Sequence, residues 1–165
     1  MRSKRIYLNT ILLQTTLIFL FTGFAQARFI IAKFPNASNF THPKDNAVLL
    51  KTPGLTYVYQ TENKDSIITN TITTTFNTIT VQGIRCEIIY DIEWTFIKKL
   101  NKKFITAETY NIYAWDNKGN VWEFGKDSFI YMYNNNWRFT GFNTKASWLA
   151  GKNGKLPRII KSATS

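Results

Sequence analysis

Four carboxylates lie in or beside aromatic segments in the second half of the chain and could perform acid–base chemistry: Glu93, Glu108, Glu123 and Asp127. Two carboxylates held at a set distance can hydrolyse a glycosidic bond, with one as the acid and the other as base or nucleophile. However, Glu93 alternates with apolar residues on the polar side of a predicted strand, and no spacing holds a second acid near it. A hydrolase that uses acids such as Glu108 and Glu123 is therefore an alternative rather than the leading hypothesis.

The segment Asp116-Asn117-Lys118-Gly119-Asn120 begins like a calcium-binding loop, since Asp and Asn oxygens ligate hard cations. Such a loop needs a bidentate Glu at its twelfth position, where this chain has Asp127, and Gly119 is out of place. The same residues are typical of a hairpin turn, in which Asp caps the turn and Gly adopts a positive φ. We therefore predict a hairpin here and no metal site.

Cys86 and His42 are the only cysteine and the only histidine of the chain. One cysteine cannot form an intrachain disulfide. A nucleophilic thiol needs a base beside it, and His42 lies far away in sequence in a loop-like stretch. The sequence therefore predicts that Cys86 is a small buried apolar residue. For the chain as a whole we predict no catalytic residue and no cofactor.

Aromatic side chains are the most informative group, and they crowd into the last half of the chain: Trp94, Tyr110, Tyr113, Trp115, Trp122, Tyr131, Tyr133, Trp137 and Trp148. They could fill the core of a barrel or sandwich. Alternatively, they could line the concave side of a half-open sheet that binds a lipid, a hydrophobic peptide or a glycan. For the second case we select Tyr113, Trp115, Trp122 and Trp148 as candidate ligand-binding residues, with a basic rim.

Basic residues outnumber acidic ones, 21 to 10, and the formal net charge is +11. Two clusters contribute: Lys98, Lys99, Lys102 and Lys103, and then Lys152, Lys155, Arg158 and Lys161. A basic domain can bind anionic lipid headgroups, polyanionic polymers or nucleic acid. Dispersed lysines can also serve only to keep a protein soluble.

Residues 1–27 have the three parts of a cleavable export signal: a basic start, an apolar run over residues 11–24, and the small-x-small triplet Ala25-Gln26-Ala27. The apolar run is short for a membrane span, so no transmembrane segment is expected after cleavage. Cleavage after Ala27 would leave 138 residues with 18 basic and 10 acidic side chains, a formal charge of +8. The predicted location is periplasmic or secreted, which argues against nucleic acid as the partner.

The elements that position these residues are short extended runs. Residues 28–54 contain three prolines and several turn formers, and predict an irregular N-terminal arm. Residues 55–165 predict an antiparallel β domain with these strands: 55–61, 67–81, 85–96, 104–115, 121–124, 128–133 and 137–142. Turns are expected at 63–65, at Gly83, at 125–127 and at 134–136, with a tail along the sheet after 143. The expected fold is all-β: an antiparallel meander curled into a half-barrel or small barrel.

Alternation within two strands predicts which side chains share a face. The even positions of residues 86–96 are apolar and the odd ones mostly polar, so the even side is expected in a core and the odd side in water. Trp122 and Phe124 share one face, and Phe129, Tyr131 and Tyr133 also share one.

Four segments together resemble a family of bacterial secreted or lipoprotein-type β domains with no established function: 50–59, 80–86, the hairpin YAWDNKGNVWEFG at 113–125, and SWLAGKNGKLP at 147–157. The resemblance covers about residues 48–160. Arg158 stands where the family usually has Gly, and Trp115 where a polar residue is common. The resemblance implies a bacterial envelope or extracellular protein, and it implies no catalytic residues.

The leading hypothesis is thus an exported, non-enzymatic binding domain whose ligand is a hydrophobic molecule, a lipid, a glycan or an envelope polymer. The alternatives are a hydrolase acting on an envelope polymer and a structural or adhesive envelope subunit. A closely spaced, buried carboxylate pair in a cleft would favour the hydrolase. A filled barrel with an exposed edge strand would favour the adhesive subunit.

Overall fold

The computed structural model of this chain describes residues 33–46 and 52–163. The predicted export signal, residues 1–27, lies outside the described residues, as does part of the predicted N-terminal arm. Within the described part, the secondary structure is eight strands and two short 3-10 helices, Ala37–Phe40 and Lys98–Leu100, with no α-helix. None of the described residues belongs to a helix that is long and apolar enough to cross a membrane.

All eight strands belong to one antiparallel sheet, and they are β1 (Thr56–Glu62), β2 (Ser66–Val81), β3 (Ile84–Ile97), β4 (Lys102–Trp115), β5 (Val121–Tyr133), β6 (Phe139–Asn143), β7 (Trp148–Leu149) and β8 (Arg158–Lys161). Strands β1 to β6 lie side by side in chain order, while β7 and β8 both pair with β5. The predicted all-β antiparallel meander is therefore confirmed. The sheet is open rather than a closed barrel, since β1 and β6 stand at opposite ends of the strand order.

Short turns set the register of the long hairpins. Asn63 Oδ1 accepts hydrogen bonds from the backbone N–H groups of Asp65 at 2.9 Å and Ser66 at 2.8 Å, and this closes the turn between β1 and β2. Between β2 and β3, Gln82 and Gly83 have φ of 51° and 78°. Two successive residues with positive φ form the turn whose twist matches that of the flanking strands, and glycine adopts this conformation without strain.

Strand β5 bears on two predictions, the turn at residues 125–127 and the tail along the sheet after residue 143. Residues 125–127 were expected to form a turn, but β5 runs unbroken from Val121 to Tyr133 and has a bulge opposite Ile112 and Tyr113. A Cβ atom at Gly125 would lie 2.5 Å from the backbone oxygen of Trp148, so this glycine permits the close approach of β7 instead of a chain reversal. The predicted tail after residue 143 likewise contains β7 and β8, which pair with β5.

The core consists of two clusters. The first comprises Val81, Ile84, Cys86, Ala114, Phe124 and Ala150, and the second comprises Ile89, Trp115 and Val121. Neighbouring β4 residues, Ala114 and Trp115, belong to different clusters, so the clusters lie on opposite faces of the sheet. The prediction that the odd side of β3 faces water is therefore wrong at Ile89, which is 1% exposed, because the sheet is covered on both faces at this end.

The N-terminal arm covers the first cluster. The Phe40 ring packs against the rings of Trp122 and Phe124, with centroids 5.9 and 5.6 Å apart, and Phe34 also contacts Phe124. Backbone hydrogen bonds from Lys44 N–H to Asp116 and from Asn117 N–H to Asn39 anchor the arm to the β4–β5 turn. The arm thus protects the sheet at one end of β5 only, and among the described residues nothing comparable covers the other end.

Candidate binding surfaces

An open pocket of about 410 Å³ lies beside the middle of β5, where β7 joins the sheet. Its apolar wall is formed by Ile79, Ile112 and Leu149, and the half-buried ring of Trp148 lines it as well. Ligand sites commonly fall between about 300 and 1,000 Å³ and combine apolar walls with a few polar groups. This pocket, called the Trp148 pocket below, has both the size and the lining of such a site.

The rim of the Trp148 pocket is basic. Lys126, Lys152 and Lys155 line it, together with the single acid Asp127, which accepts a hydrogen bond from Ser147 Oγ at 3.0 Å. None of the three lysines forms an ion pair with any residue in the described part of the chain. The rim therefore carries a net positive charge, since Asp127 offsets only part of the charge of the three lysines, and this charge lies beside an aromatic ring.

The four aromatic residues selected from the sequence do not meet on one surface. Trp148 lines the pocket, whereas Tyr113, Trp115 and Trp122 do not. Trp115 belongs to the second core cluster and Tyr113 packs against it, whereas Trp122 and Trp148 both pack against the first. Burial, followed by the charges of Glu123 and Asp91, raises the pKa of Tyr113 to about 12 despite the opposing effect of Arg158. Ligand binding by these three residues stays a prediction.

The two acids proposed for hydrolysis are likewise separated. Glu123 is buried, and its Oε2 accepts a hydrogen bond from Arg158 Nε at 2.6 Å and forms an ion pair with Nη2 of the same residue at 2.6 Å. Its pairing partner Tyr113 lies five residues along β4 from Glu108, a distance of roughly 16 Å at about 3.3 Å per residue. Glycosidase carboxylates are separated by at most about 9.5 Å. Glu108 and Glu123 therefore cannot act on one glycosidic bond in this arrangement.

Asp116 has the role in the hairpin that the sequence predicts. Its Oδ1 accepts hydrogen bonds from the backbone N–H groups of Lys118 and Asn120, and its Oδ2 accepts them from Asn120 Nδ2 and Trp122 Nε1. Burial alone would raise the pKa of this carboxyl, but the four hydrogen bonds outweigh burial and hold the pKa below its ordinary value. Both carboxylate oxygens thus accept hydrogen bonds from groups within the hairpin.

Cys86 is fully buried in the first cluster, as predicted from its place in an alternating segment. Burial raises the pKa of its thiol to about 12. The thiolate is the reactive form, and at neutral pH this thiol is therefore protonated within the core.

A second surface was not selected from the sequence. On the far half of the sheet, the Glu108 carboxylate accepts hydrogen bonds from the hydroxyl groups of Tyr90, at 2.5 Å, and Tyr131. The Tyr110 ring packs against Tyr90 with centroids 4.9 Å apart. The hydrogen bond to Glu108, together with burial, raises the pKa of Tyr131 to about 12.

This surface extends along β5 and β6 as a strip of aromatic rings, and we call the whole the Glu108 face: Tyr90, Glu108, Tyr110, Phe129, Tyr131, Tyr133, Phe139 and Phe142. Phe139 and Phe142 are 55% and 53% exposed. The alternation of Phe129, Tyr131 and Tyr133 had indicated a shared face. The residues of β3 and β4 that lie beside these rings could not be predicted from the sequence, because the register of β3, β4 and β5 depends on bulges.

Comparison of the chain with protein-family models, with curated proteins and with solved structures finds no match in any of the three. The resemblance to secreted or lipoprotein-type β domains therefore stays a prediction from the sequence motifs.

Proposed function

We propose that this protein is an exported, non-enzymatic binding domain that holds an anionic group of an envelope polymer or lipid in the Trp148 pocket. The observation that carries the proposal is the set of three lysines, without ion-pair partners among the described residues, around an aromatic ring in an open pocket. The proposed location outside the cytoplasm is based on the export signal expected in residues 1–27 and on the family resemblance.

The electrostatics of the rim favour an anion. Lys126, Lys152 and Lys155 repel one another, and Asp127 offsets only part of their charge. A bound phosphate, sulfate or carboxylate would relieve this repulsion, and the low-dielectric walls would strengthen the attraction. Because the pocket is open, it suits a charged group that projects from a larger molecule.

The chemistry of the walls favours a ligand with a ring or apolar portion beside its charge. Trp148 presents an aromatic ring, and Ile79 and Ile112 add aliphatic surface. The Arg158 guanidinium lies 5.9 Å from the centroid of the Trp148 ring, and Glu123 pairs with its charge, so the three lysines remain the source of positive charge at the pocket. An acidic sugar or a lipid headgroup has the required combination of groups.

The test is equilibrium binding of the mature protein to two pairs of probes. One pair is dextran sulfate and uncharged dextran, and the other is vesicles with and without phosphatidylglycerol in phosphatidylcholine. We expect the protein to bind dextran sulfate, the vesicles that contain phosphatidylglycerol, or both. The double variant Lys152→Ala/Lys155→Ala should weaken that binding by about tenfold or more, and added salt should weaken it further.

The matched control removes the same charge elsewhere. Lys64 and Lys99 are exposed and do not line the pocket, so Lys64→Ala/Lys99→Ala should leave affinity almost unchanged. Equal losses in the two double variants would show a nonspecific effect of net charge and would overturn the proposal. The probe pair that binds distinguishes a polymer from a lipid surface.

A structural or adhesive role is the second candidate, and one observation favours it. β1 pairs only with β2 among the described strands, and its Val58 and Tyr59 are 64% and 57% exposed. An exposed edge strand is a template for pairing with another chain. Concentration-dependent assembly that Val58→Lys abolishes, without effect on binding in the pocket, would support this role.

A further inference from the structure

The Glu108 face contains a carboxylate that no cation among the described residues pairs with. Both oxygens of Glu108 accept hydrogen bonds from tyrosine hydroxyls, and no ion pair joins it to any residue that the structure describes. A carboxylate has about four lone-pair sites, of which these bonds use two. Glu108 can therefore accept further hydrogen bonds from a ligand, and its two tyrosines hold it in place.

The rings around Glu108 form an elongated strip. Phe129, Tyr131 and Tyr133 stand at every second position of β5, which spaces the first and last by roughly 13 Å. From β6, the Phe142 ring lies 5.4 Å from Phe129, and the Phe139 ring lies 5.9 Å from Tyr131. A strip of this form suits a linear molecule better than a compact one.

Charge restricts what can cover this strip. An anionic polymer or headgroup would meet the Glu108 carboxylate, and the apolar interior of a membrane would have to desolvate it. A cationic partner would meet the Lys103 ammonium, which lies 4.7 Å from the centroid of the Trp94 ring on the same side of β3 as Tyr90. A second copy docked by two-fold symmetry would bring two Glu108 carboxylates into one interface.

An uncharged sugar chain meets none of these objections. Each pyranose ring has an apolar C–H side, which packs against an aromatic ring, and a rim of hydroxyl groups, which are hydrogen-bond donors. We propose that the Glu108 face binds a neutral, linear glycan, with its sugar rings on the aromatic strip and its hydroxyls donating to Glu108. None of the residues named for the Glu108 face lines the Trp148 pocket, so the two proposals can fail independently.

The test is calorimetric titration of the mature protein with linear, uncharged oligosaccharides. The four probes are built from glucose, mannose, xylose and N-acetylglucosamine. At least one should bind. Glu108→Gln should weaken that binding by about tenfold, since the amide has one oxygen acceptor in place of two. Phe142→Ala, at an exposed position, should weaken it by a similar factor without affecting the fold. Tyr131→Phe keeps the aromatic ring but removes the hydroxyl group that donates a hydrogen bond to Glu108. The binding enthalpy should therefore become less favourable.

The matched control is Ile130→Ala. Ile130 is 45% exposed and neighbours Tyr131 on β5, so its side chain lies on the opposite face. Its removal should leave glycan affinity unchanged, as should Lys152→Ala/Lys155→Ala in the pocket. The proposal is overturned if none of the oligosaccharides binds, or if Glu108→Gln and Phe142→Ala bind as the wild type does. It is equally overturned if the protein dimerises through this face, with Phe142→Ala restoring a monomer.

Discussion

Single side chains in this protein act mainly through the hydrogen bonds that they accept. Asp116 is the clearest case, because one carboxylate, 6% exposed, closes the β4–β5 turn and orients the Trp122 indole. Glu108 uses its carboxylate differently, since it gathers tyrosines from β3 and β5 on an open surface. The same functional group thus closes a turn where it is buried and joins the side chains of neighbouring strands where the sheet is uncovered.

At the residue scale, Asp116→Asn should lower the free energy of unfolding at pH 7 by about 2 kcal/mol. The amide supplies one acceptor oxygen where the carboxylate accepts four hydrogen bonds. Denaturant titration of both proteins measures the difference. The control Asp65→Asn changes charge equally at an exposed turn and should have little effect.

The pH dependence of that difference follows from the lowered pKa of Asp116. A carboxyl group with a lower pKa in the folded state stabilises the fold at pH values above its unfolded pKa of about 3.9. The stabilisation is lost as the pH falls through the folded pKa. Wild type and Asp116→Asn should therefore converge in stability below about pH 4, and a difference that does not change with pH would refute this account.

At the scale of elements, β5 organises the sheet. It pairs with β4 along one edge, and with β8, β7 and β6 in turn along the other. This arrangement places Trp148 and Leu149 of β7 against Gly125 and Lys126, and so forms one wall of the Trp148 pocket. The pocket therefore depends on how closely β7 approaches β5.

Gly125→Ala should destabilise the protein by about 2 kcal/mol more than Gly141→Ala does. Both glycines lie in strands with φ of 158° and 140°, so the backbone strain is similar. A Cβ at 125 would lie 2.5 Å from the Trp148 backbone oxygen, whereas at 141 the nearest atom is Met132 Cε at 3.8 Å. Thermal unfolding of both variants measures this, and equal melting temperatures would exclude the close approach of β7.

At the scale of the whole molecule, the segments that pack on the sheet cover one half of it more than the other. Both core clusters lie near the β4–β5 turn, where the arm and the C-terminal strands pack. The other half of the sheet has half-buried rings on the Glu108 face and exposed side chains on β1 and β6. We expect the stability of the molecule to follow this distribution, because local opening occurs where few apolar contacts are buried.

Native-state hydrogen exchange tests that gradient. Amides in segments 84–89 and 112–115, within the two clusters, should exchange only through global unfolding. Amides in segments 57–62 and 139–143, on the outer strands, should exchange faster, through local opening. Uniform protection along the sheet would contradict the gradient.

The sequence alone predicted most of the strands and their order. Residues 85–96 largely alternate, residues 63–65 and 116–120 are strong turn formers, and short turns join neighbours in an antiparallel meander. Those signals are local, and local backbone preferences determine them. The buried state of Cys86 and the role of Asp116 in its hairpin were predicted for the same reason.

Only the tertiary structure decided which side chains meet. Bulges opposite Glu93 and near Tyr113 shift the register, and each one-residue shift moves the following side chains to the other face. The pairing of the strands placed Trp115 and Trp122 on opposite faces, Glu108 beside Tyr90 and Tyr131, and Lys126 and Lys152 around one pocket. Sheet pairing is non-local, so residue types and spacing determined the strands of this protein, and their register determined its candidate sites.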